Sequence, residues 1–127
     1  MTRLCFALAG IGMALLFAAG PVFADTETLR TLARNTMHLD HYSSDEDKAV
    51  LKAIIDSDDS SEEEAAIAMA LSNIQHKVTG GDAERLQDIV DDDQSDELAR
   101  RLAEILLRID HSPGNDDKVA LAALAGE

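Results

Sequence analysis

The feature of this 127-residue sequence that most limits its fold is a repeat of 35 residues. Shifting the chain by 35 positions brings similar residues into register in three copies without a gap. A repeat of this length is typical of chains that stack small helical units, because no single unit buries its apolar side alone. The repeated columns are Leu32/Ile67/Leu102, Ala33/Ala68/Ala103, Leu39/Ile74/Ile109, His41/His76/His111 and Leu51/Leu86/Leu121.

Each copy contains one long and one short segment with apolar residues at helical spacing. Residues that favour helix N-caps precede most of these segments, and Gly80-Gly81 and Ser112-Pro113-Gly114 follow two of the long ones. Strand patterns are absent from the sequence. The pattern therefore predicts an all-α fold with six helices, at 26–41, 45–55, 61–78, 82–91, 95–111 and 116–125.

The stretch from Leu86 to Ile109 shows the most complete unit: a short helix, an acidic turn and a longer helix with Leu, Ala and Ile on one side. This order resembles the HEAT-like α-solenoid repeat, and the stretch from Leu51 to Ile74 resembles it less closely. The Val-Arg pair common in the second helix of that family is absent. The resemblance implies three stacked antiparallel helix pairs and a protein-binding scaffold. A compact helical bundle is the alternative fold, because apolar repeats of this length suit both.

Residues 1–24 have the composition of a cleavable secretory signal peptide. Arg3 supplies a positive charge, an uncharged apolar run follows, and Val22-Phe23-Ala24 forms a cleavage site after Gly20-Pro21. The run is shorter than the roughly 20 residues that a membrane-spanning helix needs. We therefore expect cleavage after Ala24, a periplasmic or secreted product, and one helical domain over residues 25–127.

The composition excludes several classes of partner and reaction. The chain has 25 acidic and 11 basic residues, for a net charge of −14, and Tyr42 is the only aromatic residue after residue 24. Such a chain repels nucleic acids and anionic membranes and offers no rings for stacking bases. Neither a catalytic triad nor a carboxylate pair stands out. We therefore expect no enzymatic activity and no cofactor.

Three acidic runs, at 45–47, 56–64 and 91–97, suggest calcium binding at first sight. An EF-hand loop requires glycine at its sixth position and glutamate at its twelfth. Neither a loop that starts at Asp56 nor one that starts at Asp91 has these residues. Carboxylates near a helix N-terminus are stabilised by the helix dipole. The runs are therefore interpreted as the solvated starts of helices.

The histidine column, His41/His76/His111, is expected at the C-terminal ends of the long helices. A protonated histidine there gains from the helix dipole, and stacked helices lie about 8–10 Å apart, too far for three rings to share an ion. Structural capping without a metal is the favoured interpretation, followed by a pH-sensitive binding row. Metal sequestration by His38, His41 and nearby carboxylates is the weakest, since these histidines form only half a zinc site on one helical face.

The face of the long helices opposite their core side is poor in acidic residues and carries a broken apolar row. Apolar groups framed by arginine and histidine are typical of protein interfaces. We therefore predict a non-enzymatic exported protein that binds another protein. An alternative is a small acidic inhibitor or immunity protein that captures a basic secreted toxin or hydrolase. The predicted binding face consists of Arg30, Arg34, Met37, His41, Met69, Ser72, His76, Arg100, Glu104, Leu107 and His111.

Overall fold

The computed structural model describes residues 25–127, so the predicted signal peptide lies outside the described residues. Within them no helix is long and apolar enough to cross a membrane. The prediction of an all-α fold with six helices is confirmed. The helices are α1 (Thr26–Met37), α2 (Asp45–Asp56), α3 (Glu62–Asn73), α4 (Gly80–Asp91), α5 (Glu97–Arg108) and α6 (Asn115–Ala125).

Local side-chain chemistry fixes several of the helix starts. The Ser44 hydroxyl accepts a backbone N–H from the first turn of α2. Ser61 and Glu64 accept each other's backbone N–H groups at the start of α3, which completes a capping box. α5 begins two residues later than predicted, because Asp96 rather than Ser95 accepts N–H groups of its first turn.

The long helices α1, α3 and α5 are shorter than the apolar pattern predicts. They end at Met37, Asn73 and Arg108, whereas the pattern continues to positions 41, 78 and 111. The later apolar residues, Leu39, Ile74 and Ile109, are buried all the same, each at 3% exposure. Irregular backbone that follows each helix carries them into the core, so burial continues where the helix has ended.

The inner layer of the fold consists of α1, α3 and α5, each of which contacts the other two. The other three helices are of the same length to within one residue, contrary to the predicted alternation of long and short helices. They lie outside: α2 packs mainly on α3, α4 on α5, and α6 on α1. α2, α4 and α6 begin 35 residues apart, so the three copies repeat in structure as they do in sequence. Because the last helix packs on the first, the helices close into a ring around an approximate threefold axis.

Equivalent positions of the three copies are buried together in one core. The column with alanine in every copy is fully buried, which lets the inner helices approach closely. The seam between α1 and α6 is also tied by Arg34, which donates to the carbonyl oxygen of Ala125. The fully buried columns include Leu32/Ile67/Leu102, Ala33/Ala68/Ala103 and Leu51/Leu86/Leu121.

Closure of the ring predicts a contrast between two residues of α6. Leu121 is fully buried, whereas Val119 is 72% exposed. We expect Leu121→Ala to lower the free energy of unfolding by about 2–5 kcal/mol, because it leaves a cavity at the seam. Val119→Ala, the matched control on the same helix, should change it by less than about 0.5 kcal/mol. Equal effects in urea unfolding would show that α6 does not pack on the ring.

Candidate metal centre

Three similar turns follow α1, α3 and α5, and each has a histidine at its centre. His41, His76 and His111 have φ angles of 64°, 69° and 72°. Such angles are uncommon for residues other than glycine and carry backbone strain. In each turn the residue after the histidine donates its N–H to the carbonyl of the residue before it, over 2.7–3.0 Å, as in a γ-turn.

The backbones of the three turns are joined in a closed cycle of hydrogen bonds. The N–H of His41 donates to the carbonyl oxygen of His111 at 2.6 Å, that of His111 to His76 at 2.6 Å, and that of His76 to His41 at 2.7 Å. Every bond joins residues of different copies. The cycle therefore draws the three turns together around the approximate threefold axis.

The cycle brings the three imidazole rings together on the surface. The ring centroid of His41 lies 5.2 Å from the ring centroid of His76 and 5.2 Å from that of His111. The centroids of His76 and His111 are 4.7 Å apart. One nitrogen from each ring lies within 4.8 Å of the other two, and all three residues are exposed. The expectation that the three rings lie too far apart to share an ion is therefore wrong, because the helices form a ring rather than a row. Capping of helix ends is also wrong, because each histidine lies beyond its helix.

The spacing of the rings fits a single metal ion. Zn–N bonds of about 2.0–2.1 Å in a tetrahedral site place the nitrogens about 3.3 Å apart and the ring centroids about 5 Å apart. The centroids already have this separation, whereas the nitrogens lie within 4.8 Å of one another, so a bound ion requires the exposed rings to turn towards it. Three protein ligands leave the fourth tetrahedral position open.

Two of the three rings have a carboxylate behind them. Nδ1 of His41 lies 2.6 Å from Asp40, and Nδ1 of His111 lies 2.7 Å from Asp110. In the hydrogen bond between His41 and Asp40 the carboxylate can only accept, so Nδ1 is the donor and Nε2 is the nitrogen left for a metal. Gln75 occupies the equivalent position before His76, and no carboxylate pairs with His76 within residues 25–127.

His38 does not join this cluster. The sequence suggests a half-site in which His38 and His41 share one helical face. α1 ends at Met37, however, and His38 is its C-cap residue, so the two histidines do not lie on a common helix. The half-site predicted from the sequence is therefore wrong, and His41 lies instead with the equivalent histidines of the other two copies.

The remaining residues of the predicted binding face are largely engaged with their own chain. Arg34 contacts Glu127 and the carbonyl of Ala125, and Arg100 donates to the carbonyl oxygen of Asp92 at 2.9 Å. Arg30 pairs with Glu27. Arg34 and Arg100 therefore tie their helices to the ends of α6 and α4, whereas the Arg30 pair lies within α1.

The apolar row of that face is half-buried. Met37 and Leu107 pack against the core, and Met69 and Ser72 are also partly covered. Glu104 is exposed, as are the three histidines. Within the binding face predicted from the sequence, only the three histidines thus come together in one cluster. Protein binding through the whole face stays a prediction.

No protein-family model, curated protein or solved structure matches this chain. The HEAT-like resemblance therefore stays a prediction. The chemistry of the site rests on the geometry of the three turns and on the residue types in them.

The positive φ at the centre of each turn predicts an unusual order of stability. At position 76, we expect His76→Gly to be more stable than His76→Ala by about 1 kcal/mol, because glycine adopts this φ without strain. Exposed Gln87, inside α4, is the matched control, and there alanine should be more stable than glycine by about 0.5–1 kcal/mol. Urea unfolding of the four variants measures both differences. If alanine is more stable than glycine at both positions, the backbone at His76 is not strained.

Proposed function

We propose that this protein binds one Zn²⁺ ion through His41, His76 and His111. The observation that carries the proposal is the convergence of three imidazoles, with ring centroids 4.7–5.2 Å apart, on turns that have the same strained φ in every copy. Strained backbone persists only where the surrounding structure enforces it, and it concentrates at functional sites. Glycine would relieve the strain at these positions but would remove the nitrogen ligands.

The donor set favours zinc among the common cations. Imidazole nitrogen is a good ligand for zinc, copper and nickel, whereas calcium and magnesium prefer oxygen. Three nitrogens around one axis form the base of a tetrahedron, which suits Zn²⁺, while Cu²⁺ prefers a tetragonal arrangement. The fourth position faces solvent because all three histidines are exposed. Water or a small anionic ligand completes the coordination.

The surroundings of the site suit reversible capture of a cation. The net charge of −14 produces a negative field that concentrates cations near the surface. An exposed site exchanges its ion with solvent, unlike an enclosed structural zinc site. Together with the predicted export, these features support capture or transport of zinc outside the cytoplasm.

Zinc titration of the chain from Asp25 to Glu127 tests the proposal directly. Isothermal titration calorimetry is expected to show one Zn²⁺ per chain, and zinc at about 100 times Kd should raise Tm by roughly 10 °C or more. His76→Asn should weaken binding by more than about 100-fold, because asparagine tolerates positive φ but cannot replace the imidazole.

The matched control is His38→Asn, which removes an exposed histidine outside the cluster and should leave zinc binding unchanged. Calcium and magnesium should give no comparable heat, and a chelator should reverse the rise in Tm. Absence of zinc binding, or equal binding by His76→Asn and the parent chain, would reject the three-histidine site.

The missing carboxylate behind His76 predicts a gain of affinity. Gln75→Asp provides the partner that Asp40 and Asp110 provide to the other two rings, so we expect zinc to bind about 10-fold more tightly. Gln87→Asp on α4 makes the same change of charge away from the site and controls for the general field. If both variants bind zinc equally tightly, the carboxylates act through charge alone and do not orient the rings.

A further inference from the structure

Glu64 is the one acidic side chain among the described residues that is nearly fully buried. It is 1% exposed, and the equivalent positions of the other copies hold Leu29 and Ala99, which are also buried. Burial without a cation disfavours an ionised carboxylate. Desolvation accordingly raises the pKa of Glu64, with smaller contributions from the negative charges of Asp25 and Glu63.

The carboxylate of Glu64 accepts hydrogen bonds from two backbone nitrogens. One is the N–H of Ser61, which the capping box of α3 explains. The other is the backbone nitrogen of Asp25, which lies 39 residues earlier in the chain. Within residues 25–127 no lysine, arginine or histidine side chain forms an ion pair with Glu64.

Asp25 occupies a special place in the ring. Its equivalents, Ser60 and Ser95, are reached through covalent connections from α2 and α4. Asp25 differs because the outer helix that packs on α1 is α6, and α6 is not joined to α1 along the chain. The nitrogen that faces Glu64 therefore lies at the open seam of the ring, and Asp25 is also the N-cap of α1.

We propose that Glu64 is the receptor for an α-ammonium group created at Asp25 when the chain is cleaved after Ala24. The proposal rests on the predicted cleavage site and is independent of zinc binding. The ammonium supplies the cation that the buried carboxylate otherwise lacks. Proteolytic processing thereby completes the core and locks α1 to α3.

The chemistry of this step is ordinary peptide hydrolysis by an endopeptidase. One water molecule is consumed and the Ala24–Asp25 amide bond breaks. The oxygen of that water completes the carboxylate of Ala24, and both of its protons go to the nitrogen of Asp25, which becomes an ammonium. The dipole of α1 disfavours a positive charge at its N-terminus. The carboxylate of Glu64 contacts that nitrogen directly, and the negative charges of Asp25 and Glu63 act on the same carboxyl group.

A thermodynamic cycle tests the proposal with two N-termini and two residues at position 64. One chain begins at Asp25 and the other retains Ala24, and each is made with Glu64 and with Glu64→Gln, which keeps the hydrogen-bonding shape. We expect the Glu64 chain that begins at Asp25 to have a Tm higher by at least about 5 °C than the chain that retains Ala24. The difference should vanish in the Glu64→Gln pair.

Two further measurements keep the test decisive if Glu64→Gln folds poorly. Acetylation of the α-amino group of the chain that begins at Asp25 should lower Tm as retention of Ala24 does. In Glu64→Leu, which copies the first repeat's Leu29, acetylation should have no effect. Mass spectrometry of the exported protein should find Asp25 at its N-terminus. Equal Tm values for the two Glu64 chains, or cleavage at another bond, would overturn the proposal.

Discussion

The cycle of backbone hydrogen bonds among His41, His76 and His111 is the constraint on which the rest of this structure depends. Each bond joins two copies of the repeat, so the cycle exists only when all three copies are in place. It sets the positive φ of the three turns and ends the long helices early. It also fixes the separation of the imidazole rings. The cycle thus links the closed arrangement of the three copies to the geometry of the candidate metal centre.

The turns show how a repeat protein can place chemistry on its symmetry axis. A single copy contributes one exposed histidine, which binds zinc weakly and without defined geometry. Closure of three copies brings three such histidines together as candidate ligands, without any further type of residue. Backbone strain at each histidine is offset by the core that the closed ring buries, including the alanine column that lets the inner helices approach.

Departures from the threefold repeat are as informative as the repeat itself. Gln75 replaces the aspartates that orient the other two rings, so one ligand of the site is held less firmly. Glu64 replaces the apolar Leu29 and Ala99 and lies beside the seam where the chain enters the ring. These two departures are the positions on which the proposed zinc site and the proposed N-terminal contact depend.

The helical class, the six helices, most of their starts and the buried columns follow from the amino-acid sequence, because helical periodicity and capping are local properties. The sequence also singled out the histidine column. Only the tertiary structure decided that the three rings converge, since closure depends on α6 packing against α1, across nearly the whole length of the chain. A row and a ring of identical units bury the same apolar faces, so the pattern of apolar residues cannot distinguish them. The contacts between the ends of the chain can.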